Sequence, residues 1–180
     1  MPDTTARRAS DERISPGGKS TLAARLFPPG EILSSDALRA VVSGNEADQR
    51  ASAVAFRILH KTLERRLMDR KLTVVDATNT RAEPRRPLLE RAVTAGVPTV
   101  AIVLDLPSEI IHAQNRARAA RVVDRPVVER HIAAIRRTIE RGQLTTEGFD
   151  HVVLLRSPTD VAALRVERPR PARPREPASA

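Results

Sequence analysis

The chain has no cysteine, no tryptophan and no tyrosine among its 180 residues. Without thiols it has no disulfide partner, no thiolate nucleophile and no cysteine-based zinc site. Phe27, Phe56 and Phe149 are its entire aromatic content. An extended platform for stacking nucleic-acid bases is therefore not expected, because such platforms are built from aromatic rings. Long apolar runs are missing as well. No stretch approaches the roughly 18 uninterrupted apolar residues of a membrane span, and the start lacks a signal-peptide core. Together these absences predict a cytoplasmic protein with no membrane partner.

What is present is the balance of a globular domain: 41% hydrophobic and 29% charged residues, enough for one core. The net charge is +9. Residues 1–13 balance three Arg against three acids, and the segment from Glu167 onward holds four Arg against two Glu, so about +7 falls on the part between them. Polyanionic partners are compatible with that surplus, as is a solvated Arg-rich surface. Residues 1–12 are polar and without period. Residues 167–180 alternate Pro and Arg and contain no apolar residue larger than Ala. Both are expected to be disordered, since they bury too little to offset ordering entropy, which leaves a domain at 13–166.

Inside that span, short apolar runs alternate with helical patterns. Residues 31–35, 72–76, 99–106 and 151–156 read as strands; the middle two are nearly continuous in β-branched residues, as strands buried on both faces are. Helices are predicted from 18 to about 26, over roughly 46–70 (Phe56, Leu59, Leu63, Leu67 on one face), over 85–95, after Pro107, and from 126 to 141 (Val128, Ile132, Ile135, Ile139), with Gly96 and Gly142 as stops. Strand–helix alternation predicts an α/β domain of three layers, a parallel sheet flanked by helices.

Gly17-Gly18-Lys19-Ser20-Thr21 opens the first helix and carries the end of the phosphate-loop pattern, G-x-x-x-x-G-K-[ST]. In such a loop, backbone N–H groups surround the phosphates, Lys reaches the β and γ oxygens, and the hydroxyl ligates magnesium. Arg13 stands where the pattern has its first Gly, and Pro16 has no N–H to offer. No strand pattern leads into the loop. Three readings of this start are open: a frame-shifted or misassigned beginning, a decayed inactive chain, or a poor strand at residues 8–14.

Two further motifs end in acids at the C-terminal edge of predicted strands, where open α/β sheets place ligands. Ile32-Leu33-Ser34-Ser35-Asp36 is followed one turn on by Arg39, and Leu72-Thr-Val-Val-Asp76 continues as Ala-Thr-Asn79. An arginine cluster, Arg116, Arg118, Arg121 and Arg125, lies between two helices. In this order, GKST, FPP-x-E-I-LSSD-x-x-R, LTVVDATN, AIVLDLP and N-R-A-R, the chain from about residue 15 to 156 resembles the bacterial and phage polynucleotide 5′-hydroxyl kinase domain, an adenylate-kinase-like P-loop phosphotransferase of the AAA-type ATP-binding family.

The resemblance implies ATP and Mg²⁺ as cofactors and a P-loop NTPase sheet of order 2-3-1-4-5, whose first, central strand is the one missing or poorly formed here. It implies Asp36 as the general base, Arg39 holding the acceptor's phosphate, and Gly17, Gly18, Lys19, Ser20 and Thr21 around the ATP phosphates. Ser20 and Asp76 would serve the metal. Arg116, Arg121 and Arg125 would cover the donor as lid residues, with Arg121 acting in catalysis. The acceptor implied is a polynucleotide 5′-OH. A small hydroxyl substrate, or a catalytically inactive nucleotide- or nucleic-acid-binding relative, are the alternatives.

Plain structural readings stand beside these. Asp36 could cap the helix that begins there, Asp76 could only fix a turn, and the arginines could be a solvated helix end. Asp105 reads as structural. His60, His112, His131 and His151 are scattered without metal-ligand spacing and are expected to be incidental.

Overall fold

A computed structural model of the chain describes residues 18–45, 49–117 and 122–168. Residues 1–17, Gly17 among them, lie outside this set, as do Arg118, Arg121 and residues 169–180. The fold is α/β, with short parallel strands between helices. Four strands form: β1 (Ile32–Ser34), β2 (Val74–Asp76), β3 (Val100–Leu104) and β4 (His151–Leu155). Each sits inside its predicted run and is shorter at one or both ends.

The strands make two parallel pairs, β1 with β2 and β3 with β4. Ile32 pairs with Val74 and Ser34 with Asp76; Val100 pairs with His151 and Leu104 with Leu155. No ladder joins β2 to β3 among the described residues. Val100 and Ile102 of β3 remain 53% and 38% exposed, although a parallel strand is ordinarily covered on both faces.

The helices around these pairs are α1 (Lys19–Leu26), α2 (Ser35–Ser43), α3 (Ser52–Met68), α4 (Ala82–Ala95), α5 (Ser108–Arg116), α6 (Arg125–Glu140), α7 (Gln143–Glu147) and α8 (Pro158–Ala163). The expected helix at 46–70 is shorter, and its inner stripe is Ala55, Leu59, Leu63 and Leu67. Phe56 is turned partly out. The helix expected from residue 85 begins three residues earlier, because Pro84 falls in the first turn, where a missing N–H costs nothing. Ser157 and Asp160 form a reciprocal capping box that starts α8. The tail is not wholly without contacts: Arg168 grips Glu31 with two nitrogens at 2.7 Å each.

His60 is not incidental to stability. Its ring lies 6.5 Å from that of Phe56, and its Nδ1 is buried with no hydrogen-bond partner. Burial, helped by the charge of Arg91, holds its pKa below the ordinary imidazole value. Because the folded pKa is the lower one, the unfolded chain takes up the proton first. The contribution is present above about pH 6.5 and is lost as pH falls through the folded value. The melting temperature is therefore expected to drop between pH 7 and pH 5.5, and His60→Gln should flatten that drop. A wild-type melting temperature that stays constant over this span would contradict it.

Candidate functional site

The register of the first strand pair brings the two acidic motifs to one edge. Ser34 is level with Asp76 at the C-terminal end of β1 and β2, and α2 departs from β1 directly afterwards. The cap of α2 is Ser34, whose hydroxyl accepts the N–H of Ala37 at 3.3 Å. Asp36 is thus free of the capping role that three successive cap-forming residues left open. Its Oδ1 accepts from Arg39 and from the Ser35 hydroxyl, the latter at 3.3 Å. Oδ2 has no partner among the described residues, and the side chain is 57% exposed. Arg39 is the reverse, buried along its length. Its guanidinium holds Asp36 in place, a contact the sequence pattern did not reveal.

Asp76 is buried at the end of β2. Its carboxylate has no hydrogen-bond or ion-pair partner among the described residues. A carboxylate with no protein partner at this edge is available to a cation. Asn79 lies on the following loop, and Arg85 of α4 secures that loop by donating to the Asn79 carbonyl at 2.9 Å.

Gly18 precedes α1 with no side-chain cap on the helix, and no acid stands in its first turn. The end is therefore open to an anion, with N–H groups and the positive end of the helix dipole directed outward. Lys19, Ser20 and Thr21 are exposed in that first turn. α1 packs on both β1 and β2, which puts this turn on the same half of the molecule as Asp36 and Asp76.

His131 of α6 marks a neighbourhood the sequence did not announce. Its pKa is lowered by desolvation first and then by the charges of Lys19, Arg130 and Arg81. His131 is itself exposed, so these charges act on it partly through solvent.

The remaining arginines divide. Arg116 at the end of α5 and Arg125 at the start of α6 line one polar cavity with Ser108, Glu109, His112 and Glu129. His112, expected to be incidental, instead pins α5 to α6: its Nε2 is 2.5 Å from Glu129. Asp105 serves structure, with Arg136 at 3.4 Å and Arg156 at 3.8 Å.

No helix among the described residues is long and apolar enough to cross a membrane, and no group of three or more His or acidic residues there forms a metal cage. A family model described as an AAA domain matches residues 15–141, most of the chain, and it implies binding of a nucleotide. No curated protein matches the chain.

Proposed function

We propose, on the premise that the chain belongs to the AAA domain family, that it is an ATP-dependent phosphotransferase delivering the γ-phosphate to a polynucleotide 5′-hydroxyl. The observation that carries this reading is the shared edge. An exposed carboxylate, oriented by a buried arginine, follows the end of β1, and a second carboxylate, without a partner among the described residues, ends the paired strand β2.

Phosphoryl transfer asks for positioning and charge stabilisation more than covalent participation. Gly17, Gly18, Lys19 and Thr21 hold the donor's phosphates at the start of α1. Ser20 and Asp76 supply a hydroxyl and a carboxylate, hard oxygen ligands of the kind magnesium accepts when substrate phosphates and water complete its shell. Magnesium, when bound, neutralises charge on the β and γ phosphates. Arg39 fixes Asp36 beside the place where the acceptor's phosphate is held. Asp36 takes the proton of the acceptor hydroxyl as that oxygen attacks. Arg116, Arg121 and Arg125 bear on the donor side, with Arg121 offsetting charge that builds on the transferred group.

Arg13, at the position of the loop's first glycine, favours a second reading, nucleotide binding without turnover. Incubation with γ-labelled ATP, Mg²⁺ and an oligonucleotide bearing a 5′-OH tests both. Label at the 5′ end is the expected result. Transfer to a sugar or nucleoside that excess oligonucleotide does not suppress would reassign the acceptor, and nucleotide binding with no transfer would leave only the second reading.

A further inference from the structure

We infer that Asn115 is the positioning residue of a polyphosphate-binding pocket between α5 and α6, setting Arg116 and Arg125 to grip one phosphate chain. That the chain belongs to ATP rests on the phosphotransferase reading above.

Asn115 is 9% exposed, and both ends of its amide are engaged. Nδ2 donates to the Val123 carbonyl at 2.6 Å, and Oδ1 accepts the Val123 N–H at 3.0 Å. A primary amide can satisfy both peptide groups of one residue because it carries a donor and an acceptor side by side. The contact therefore fixes Val123 against the last turn of α5, much as a neighbouring strand would.

The two arginines bracket this tie in the chain. Arg116 follows Asn115 directly, and Arg125 stands two residues beyond Val123. A second tie, from His112 to Glu129, comes from one turn earlier on the same face of α5. With both ends held, the separation of the two backbone segments that carry the arginines is set by the protein rather than by the ligand.

Both guanidiniums line the cavity, and neither has a hydrogen-bond or ion-pair partner among the described residues. Glu109 and Glu129 line the same cavity, the latter held to one side by His112. Two unpaired guanidiniums in one pocket suit a ligand with several anionic oxygens. Holding in advance the segments that carry them removes the backbone part of the ordering cost on binding.

Titration calorimetry of the full chain with ATP, and separately with inorganic tripolyphosphate, tests the inference. Asn115→Ala is expected to weaken both ligands about tenfold, the scale of one charge-assisted hydrogen bond lost from alignment. Asn115→Asp, which keeps the acceptor for Val123 N–H, should fall between. Arg116→Ala with Arg125→Ala should weaken binding as well. Adding Asn115→Ala to that pair should then cost nothing more, since Asn115 acts through the arginines.

Additive losses would overturn the positioning role and leave Asn115 a structural residue, as would unchanged binding by Asn115→Ala. Thermal melts of each variant show that the folded chain is being compared. Tripolyphosphate binding without ATP binding would sink the phosphotransferase reading and leave the pocket. ATP binding indifferent to Asn115 would do the opposite, and binding of neither ligand removes both.

Discussion

Asp36→Asn is expected to slow transfer of label to the acceptor hydroxyl by about 10²–10⁴-fold, the range lost with a general base. The substitution keeps the shape of the side chain and its place at the start of α2, where Ser34 carries the cap. It removes the charge and the basic oxygen. Affinity for ATP should change little, because on the proposed reading Asp36 serves the acceptor. Initial rates at saturating ATP, beside a separate binding titration, distinguish the two effects. Transfer by the Asn variant at the wild-type rate would withdraw the assignment of the base, whatever the chain phosphorylates.

The second large effect is on stability. Arg85 is 4% exposed, and its guanidinium meets Glu147 through two bonds, at 2.7 Å and 2.5 Å, besides reaching the Asn79 carbonyl. Arg85→Ala strands the Glu147 carboxylate and frees the loop after β2. Losing one member of a buried pair costs about 3–5 kcal/mol, and the partial exposure of Glu147 points to the lower end. Urea denaturation should show the unfolding free energy fall by that amount, read as a lower midpoint at unchanged slope. Replacing both partners, Arg85→Met with Glu147→Leu, should cost much less, since no charge is then left alone. A single Arg85→Ala variant as stable as the double one would show that the pair is solvated and weak.

This pair also explains why part of the fold is illegible in the sequence. Arg85 and Glu147 are 62 positions apart, and no local pattern links them. α7 has only five residues between two glycines with one buried side chain, Leu144, too short for any period. Strands β2 and β3 are readable because parallel strands declare themselves as β-branched runs. α6 is readable because Val128 and Ile132 repeat on one face. At the site, the acids at the strand ends were legible, since their place follows from the α/β alternation. The burial of Arg39 was not, because an arginine one turn after an acid looks the same whether it faces solvent or the core. Asn115 and His112 were silent for the same reason: each finds its partner only when α5 lies against α6.

The separation of the two strand pairs among the described residues has a mechanical consequence. The carboxylates and the first turn of α1 ride on the β1–β2 half, while the arginines of the α5–α6 pocket ride on the half built around β3 and β4. Transfer, on the proposed reading, takes place across the line between them, and a misplacement of about 1 Å at such a centre can cost on the order of a hundredfold in rate. Alignment across that line is maintained by a few long-range clasps: Arg85 on Glu147, Arg25 of α1 on the carbonyls of Val161 and Leu164, and Arg168 on Glu31. These arginines touch no reacting atom in the proposed scheme, yet they act as its chassis. Loosening any of them would detune the chemistry before it melted the protein.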